Sequence, residues 1–174
     1  VPFPDPSHPQ HFVWNYRMYA GTVSAVERVQ TSINVKADGS MTKGQQETQI
    51  TFPLNPRTKG MYADDNLYAL FMQKNLGPPR TAGTVTLVHD FVDSYLQPRK
   101  AWQYSPATRR VRRAPDISYD SLTSAGEGIQ TIDSYGGFNG AQDKYDWSYE
   151  GKRKMIVPIN NDDLANTEPE VTFT

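Results

Sequence analysis

Cysteine is absent from all 174 residues. That excludes disulfides, thiolate metal sites, a thiol nucleophile and a lipid-anchored cysteine within this stretch. Histidine is nearly as scarce: His8, His11 and His89 are the three. His8 and His11 have the i, i+3 spacing that can hold a metal on a helix, but flanking prolines and the lack of a nearby third ligand argue against it. His89 and Asp90 are adjacent, and on a strand adjacent side chains point to opposite faces, so they cannot form an oriented base. No Ser or Thr stands in a nucleophile elbow. The glycines at 126, 128, 136 and 137 lack the strand–glycine–helix context and the lysine of a phosphate loop. Asp64-Asp65-Asn66 lacks the spacing of a calcium loop. The reading is therefore a protein that is not an enzyme, with no catalytic residue, no metal and no cofactor.

Long apolar runs are also missing. Mean hydropathy is −0.67, and no run reaches the length of about 20 residues that a membrane-crossing helix needs. Charge of one sign is lacking too: the formal net charge is −1. Nucleic-acid modules usually carry a strongly basic whole, so no nucleic acid is expected as a partner.

What is present is punctuation and aromatic surface. Thirteen Pro and twelve Gly argue for many short elements and favour β structure over a helix bundle. Residues 1–9 carry Pro2, Pro4, Pro6 and Pro9, which disfavour regular helix. Residues 10–20 follow with Phe12, Tyr16 and Tyr19 at helical spacing, and the upstream Pro and Ser suit a helix start. A strand is the alternative; helix is the reading taken, with the aromatic stripe expected in the core. Residues 21–36 alternate, with Val23, Ala25, Val29, Thr31, Ile33 and Val35 on the face taken as apolar. Glu27 breaks that face and is expected at an edge or bulge in contact with solvent. Asp38-Gly39 marks a hairpin turn, and residues 41–53 return as a second strand. Residues 54–66 read as loop and 84–91 as a further strand; residues 66–76 stay open, since Leu67, Leu70 and Phe71 make a helical stripe and Tyr68, Leu70 and Met72 a strand face. Residues 116–140 are polar and Gly-rich, either helical near 131–135 or mobile, with Asp116, Asp120, Glu127 and Asp133 offsetting neighbouring arginines. Strands are expected again at 144–149 and 154–159. Residues 160–174 read as a polar tail behind a single domain at 1–159.

The centre of the chain is PRKAWQYSPATRRVRRAP at 98–115, which carries six of the eighteen Lys and Arg residues. Its alternation predicts a hairpin with a four-residue loop, pairing Tyr104 with Arg109, Trp102 with Val111 and Lys100 with Arg113. A solvated basic sheet face, a patch for an anionic surface or partner, and a nucleic-acid contact are the three readings, the last the least favoured.

PRKAWQY…RRVRRAP, with LVHD at 87–90, PFP at 2–4, PPR-AG at 78–83 and FNG…YDW at 138–147, resembles a bacterial family of unknown function. Members of that family are labelled outer-membrane lipoprotein-sorting proteins. The resemblance runs from Pro2 to about Ile159. It implies a mainly β fold: a curved antiparallel sheet, an incomplete half-barrel, with an apolar concave side and one or two short helices. It implies no catalytic residue. It also implies longer members, so this chain is expected to be an internal portion of one.

Together these predict a non-enzymatic protein of the periplasm, or of the periplasmic face of the outer membrane, in a Gram-negative bacterium. It would bind a hydrophobic or lipid-like ligand or a lipidated partner. Leu87, Phe91, Trp102, Tyr104, Val111 and Trp147 are the expected apolar lining. Arg99, Arg109 and Arg113 are the expected contacts for an anionic group. The alternative is a structural or assembly module that docks a membrane transport complex through the basic hairpin. A cheap discriminator is whether the helix at 10–20 fills the concave face.

Overall fold

The computed structural model describes residues 2–114, 117, 120–122 and 130–157. The expected tail at 160–174, and the part of the last expected strand at 158–159, lie outside the described residues, as do Asp116 and Glu127.

Six strands form one antiparallel sheet in chain order. They are β1 (Ala25–Val35), β2 (Met41–Thr51), β3 (Leu67–Gly77), β4 (Val85–Phe91), β5 (Lys100–Ser105) and β6 (Arg110–Arg113). The sheet is mainly β structure with one α-helix and does not close: β1 and β6 are both edges. Each edge has a device against unwanted pairing. β6 is only four residues long and three of them are arginine, all exposed. β1 exposes Glu27 and Arg28, so Glu27 is at the edge strand, where its carboxylate accepts from Gln49 Nε2 at 3.1 Å. Register shifts at Gln45/Gln46 and Leu67/Ala69 bend the inner strands.

Helix α1 (Pro9–Ala20) precedes the sheet. Two histidines start it. His8 Nδ1 accepts from Gln10 N at 3.3 Å, and His11 Nδ1 accepts from the backbone of Ser7 and His8. This is a capping box built from imidazoles, with Pro9 supplying a helical φ in the first turn. The proline-rich segment ahead is tied to the helix. Phe3 stacks on His11 with ring centroids 4.1 Å apart, and its backbone N–H and C=O both bond the Asn15 side chain. The other end is held by Asn55, whose amide donates to the carbonyls of Gly21 and Thr22. A small core of Phe52, Tyr68 and Ala69 joins helix to sheet, with Met18, Val26, Ile50 and Val92 packed against it.

The β5–β6 hairpin forms with a four-residue loop, but with its register shifted by two residues from the expected one. Trp102 lies opposite Arg113 and Tyr104 opposite Val111. The loop is residues 106–109 rather than 105–108, because Arg109 adopts a left-handed backbone, φ 54°, and ends the turn.

The chain after β6 departs from expectation. Residues 131–137 form turns and a single bridge, Leu122 to Thr131, rather than helix. Residues 145–149 and 154–157 join no ladder. Their alternation serves packing among aromatics instead. Phe138 meets Tyr145 and Trp147 edge-on at 5.5 and 4.9 Å, and Tyr149 stacks on Phe12 of α1 at 4.7 Å. Residues 130–139 cross one face of the sheet as a roof. Tyr135 stands edge-on to Phe71 on β3 and bonds Arg28 on β1, while Asn139 accepts from Arg99 beside β5 at 2.9 Å. The roof passes close to α1 at Gly137 (φ 92°), where a Cβ would come within 2.8 Å of the Tyr16 hydroxyl.

Candidate functional site: the roofed inner face of the sheet

Between sheet, roof and helix lies a cleft of about 820 Å³. The strand register orders its floor into rows that run across the strands. One row is apolar throughout: Val26, Ile50, Phe71, Val88 and Ala101 are successive partners, and Ala114 N–H bonds Ala101 O at 2.9 Å. Five inter-strand spacings make this row about 24 Å long, and the same-face rows are about 7 Å apart. The next row is polar: Arg28, Thr48, Gln73, Thr86, Gln103 and Arg112. Beyond it stand Gln30, Gln46 and Asn75. The inner face is therefore one oily stripe beside amide- and hydroxyl-bearing rows, not the uniformly apolar concave side that the resemblance implies.

On the other flank of the apolar row lie Phe52 and Ala69, and then a charged cluster. Asp90 Oδ2 accepts from Arg17 Nη2 at 2.8 Å and from Arg99 Nη2 at 3.0 Å. Arg99 Nε also reaches Asp90 Oδ1 at 3.3 Å, and Nη1 reaches Ile117 O at 3.3 Å. Both guanidinium side chains are 7% exposed. Arg17 lies over the rings of Trp14 and Tyr68, 5.1 and 4.9 Å from their centroids. The Tyr68 hydroxyl donates to Arg17 O at 2.6 Å, and burial pushes its pKa up. So the aspartate on β4 gathers an arginine from the helix and one from the approach to β5.

The expected apolar lining is on the other side of the sheet. Leu87, Phe91, Trp102, Tyr104 and Val111 share the outer face, paired as Leu87–Trp102 and Tyr104–Val111, and none of them lines the cleft. Trp102 is half-buried there, edge-on to His89 at 4.9 Å, and Lys100 Nζ lies 5.0 Å from the Phe91 ring. Burial first, then Lys100, holds the His89 imidazole below its ordinary pKa. Trp147 stands behind Phe138, which does line the cleft, and donates from Nε1 to Gln142 O at 3.1 Å. Of the expected anion contacts, Arg99 lines the cleft, Arg109 closes the hairpin turn and Arg113 is exposed opposite Trp102.

The reason is parity. Alternation says which residues share a face but not which face turns inward. In β5 the cleft side bears Ala101, which is 2% exposed, and Gln103, which lines the cleft. The bulky Trp102 and Tyr104 are left outside. Helix α1 is read wrongly for the same reason: Tyr16 and Tyr19 are 53% and 72% exposed at the cleft, while Arg17 is buried. The carboxylates expected to offset the arginines do not do so among the described residues. Asp133 bonds Thr131 and Tyr145, which lowers its pKa and raises that of Tyr145 to about 12. Asp90 takes the arginines instead. His89 and Asp90 do point to opposite faces, as strand geometry requires.

Residues missed by sequence reasoning are Arg17, Asp90, Phe71, Val88 and Asn139. The available signal was Asp90 itself, a carboxylate on the same strand face as Val88, within the run Leu87–Val92.

Residues 1–173 match the family DUF1329, described as a protein of unknown function. The chain is 34% identical over 174 residues to the uncharacterized protein PA3922 of Pseudomonas aeruginosa, covering 99% of this chain and 37% of that protein. It therefore spans well under half the length of that curated relative. Among solved structures, it aligns with an outer membrane lipoprotein-sorting protein domain from Vibrio parahaemolyticus at TM-score 0.47 and 12% identity, over 70% of this chain and 48% of the other. It also aligns with a DUF1329 family protein from Desulfovibrio piger at TM-score 0.45 and 20% identity, over 73% and 51%. The chain belongs to the DUF1329 family.

Proposed function

We propose that this chain is a non-catalytic, carrier-type module of the bacterial envelope that holds a hydrophobic or amphiphilic, lipid-like ligand in the roofed cleft. One observation carries the reading. The α-helix does not fill the inner face, and about 820 Å³ remains over an apolar row in which Val26, Ile50, Phe71 and Val88 line the space, flanked by polar groups. Such a row suits an extended alkyl chain lying across the strands. Each methylene buried there contributes about 0.8 kcal/mol, and a chain one row wide meets the polar rows only along its side. The periplasm is the compartment this reading fits.

The test is lipid extraction with mass spectrometry on the purified protein, followed by titration with an alkyl fluorescent probe. Val88→Trp, which fills the apolar row at its centre, is expected to weaken probe binding at least tenfold. Trp102→Ala, on the outer face, is expected to leave it within about twofold. Loss of binding in Trp102→Ala but not in Val88→Trp would put the ligand on the outer face. No copurifying lipid and no probe binding would end the carrier reading.

A second reading keeps one observation of its own: Arg110, Arg112 and Arg113 are exposed along the β6 edge. They fit an assembly module that docks an acidic partner or anionic surface. Reversing all three to Glu is then expected to abolish flotation with phosphatidylglycerol vesicles while sparing probe binding. Unchanged flotation would reject it.

A further inference from the structure

The cleft is cationic in a chain that is not. Its described lining holds three guanidiniums, Arg17, Arg28 and Arg99, against one carboxylate, Asp90. That is an excess of two positive charges in a chain of formal net charge −1. Arg28 is exposed, but Arg17 and Arg99 are nearly buried around the one aspartate, so among the described residues one positive charge of the excess is held out of water. A buried cation is costly unless paired, and one aspartate cannot neutralise two arginines.

The two arginines differ in how fully they are engaged. Arg99 donates from Nε, Nη1 and Nη2 to Asp90, Ile117 O and Asn139. Arg17 donates from Nη2 alone, to Asp90. Its other contacts are the ring faces of Trp14 and Tyr68, which attract the cation without accepting its in-plane N–H groups as a carboxylate would. Among the described residues Arg17 Nε and Nη1 have no acceptor. The Arg17 head is thus held in place by two rings and an aspartate, with hydrogen-bonding capacity left over, on the lining of an apolar cleft.

We propose that the ligand is an anionic amphiphile, a carboxylate or phosphate on an alkyl chain. Its head is taken by Arg17 beside the Asp90–Arg99 pair, and its chain lies along Val26, Ile50, Phe71 and Val88. This rests on the cleft reading above and adds the class of headgroup. Asp90 is a positioning residue: it aims both guanidiniums without neutralising the pair. The ligand's charge completes the cluster, and the cost of bringing the cations out of water is met in folding rather than in binding.

The test compares cis-parinaric acid with the corresponding cis-parinaryl alcohol at pH 7.5, so that the chain is constant and only the charge differs. The native protein is expected to favour the acid by about tenfold or more. Arg17→Gln, which keeps Asp90 and Arg99 in place, is expected to reduce that preference to about twofold, read as the ratio of acid to alcohol affinity in the same variant. Arg17→Lys is expected to restore part of it. Competition by oleic acid against 1-oleoyl-lysophosphatidic acid, with monooleoylglycerol as the neutral control, separates a carboxylate head from a phosphate head. Equal binding of acid and alcohol by the native protein overturns this inference and leaves the cleft reading standing. Binding of neither overturns both.

Discussion

Asp90→Ala is expected to lower the free energy of unfolding by about 3–5 kcal/mol, the range seen when one partner of a buried ion pair is removed. Two nearly buried guanidiniums then lose their common carboxylate, which takes one bond from Arg17 and a two-point bond from Arg99. Among the described residues Arg17 bonds no other acceptor, and the rings of Trp14 and Tyr68 only soften the penalty. The loss reaches beyond the pair. Arg99 links Asp90 on the sheet to Asn139 on the roof, and Arg17 links it to the helix. Urea denaturation is the measurement, with the midpoint falling and the slope unchanged. A loss below about 1 kcal/mol would mean that water entering through the cleft rehydrates both cations, and the cluster would then be as weak as a surface pair.

Phe52→Ala is expected to cost about 3–5 kcal/mol, as large-to-small changes of aromatic core residues do. Phe52 is 5% exposed and lies edge-on to Tyr68 at 5.9 Å. It is the centre of the small core that Met18 joins from the helix and Val26, Ile50 and Val92 join from around it. In a sheet whose inner face is largely given to an open cleft, few other side chains can collapse into the void. The Tyr68 hydroxyl bond to Arg17 O depends on the same packing, so helix docking should loosen with it. A red-shifted emission contribution from Trp14 would report that loosening, alongside the lower denaturation midpoint. Met61→Ala is the control: Met61 is 71% exposed, and the change is expected within about 0.5 kcal/mol. Equal effects of the two substitutions would show that the helix is not anchored through Phe52.

Five of the six strands were legible because their signals are local; β3 was not, because residues 66–76 fit a helical stripe as well as a strand face and only the family resemblance favoured strand. Asp38-Gly39 turns β1 into β2, and Ser105-Pro106 starts the bend from β5 into β6. Alternation within each run fixes which side chains travel together. Even the exception was readable: Glu27 interrupts a row of aliphatic residues because that row faces outward on an edge strand. The weak points were of two kinds. Residues 145–149 alternate like a strand, but their aromatics pack on Phe138 and Phe12 instead of pairing in a ladder, since no free edge reaches them. Helix α1 was placed correctly, yet its aromatic stripe was assigned to a core that is really a cleft wall.

The site itself was legible only in its chemistry. Apolar rows and arginines could be expected from the residues; their assignment to a face could not. A two-residue repeat is symmetric between the two sides of a strand, and the hairpin at Lys100–Arg113 offered aromatics on one side and small or amide side chains on the other. Size favoured the wrong answer. The roof at 130–139, distant in sequence, lies on the side of Phe71 and Arg28, where Tyr135 meets both. The same holds for Asp90, which gathers Arg17 from 73 positions earlier. The amino-acid order alone determined an antiparallel, mainly β chain with one aromatic helix and a basic hairpin, since turn chemistry and alternation act between neighbours. Which side of that sheet became the cleft, and which arginines were drawn into it, depended on contacts between segments dozens of residues apart, and only the assembled tertiary structure decides those.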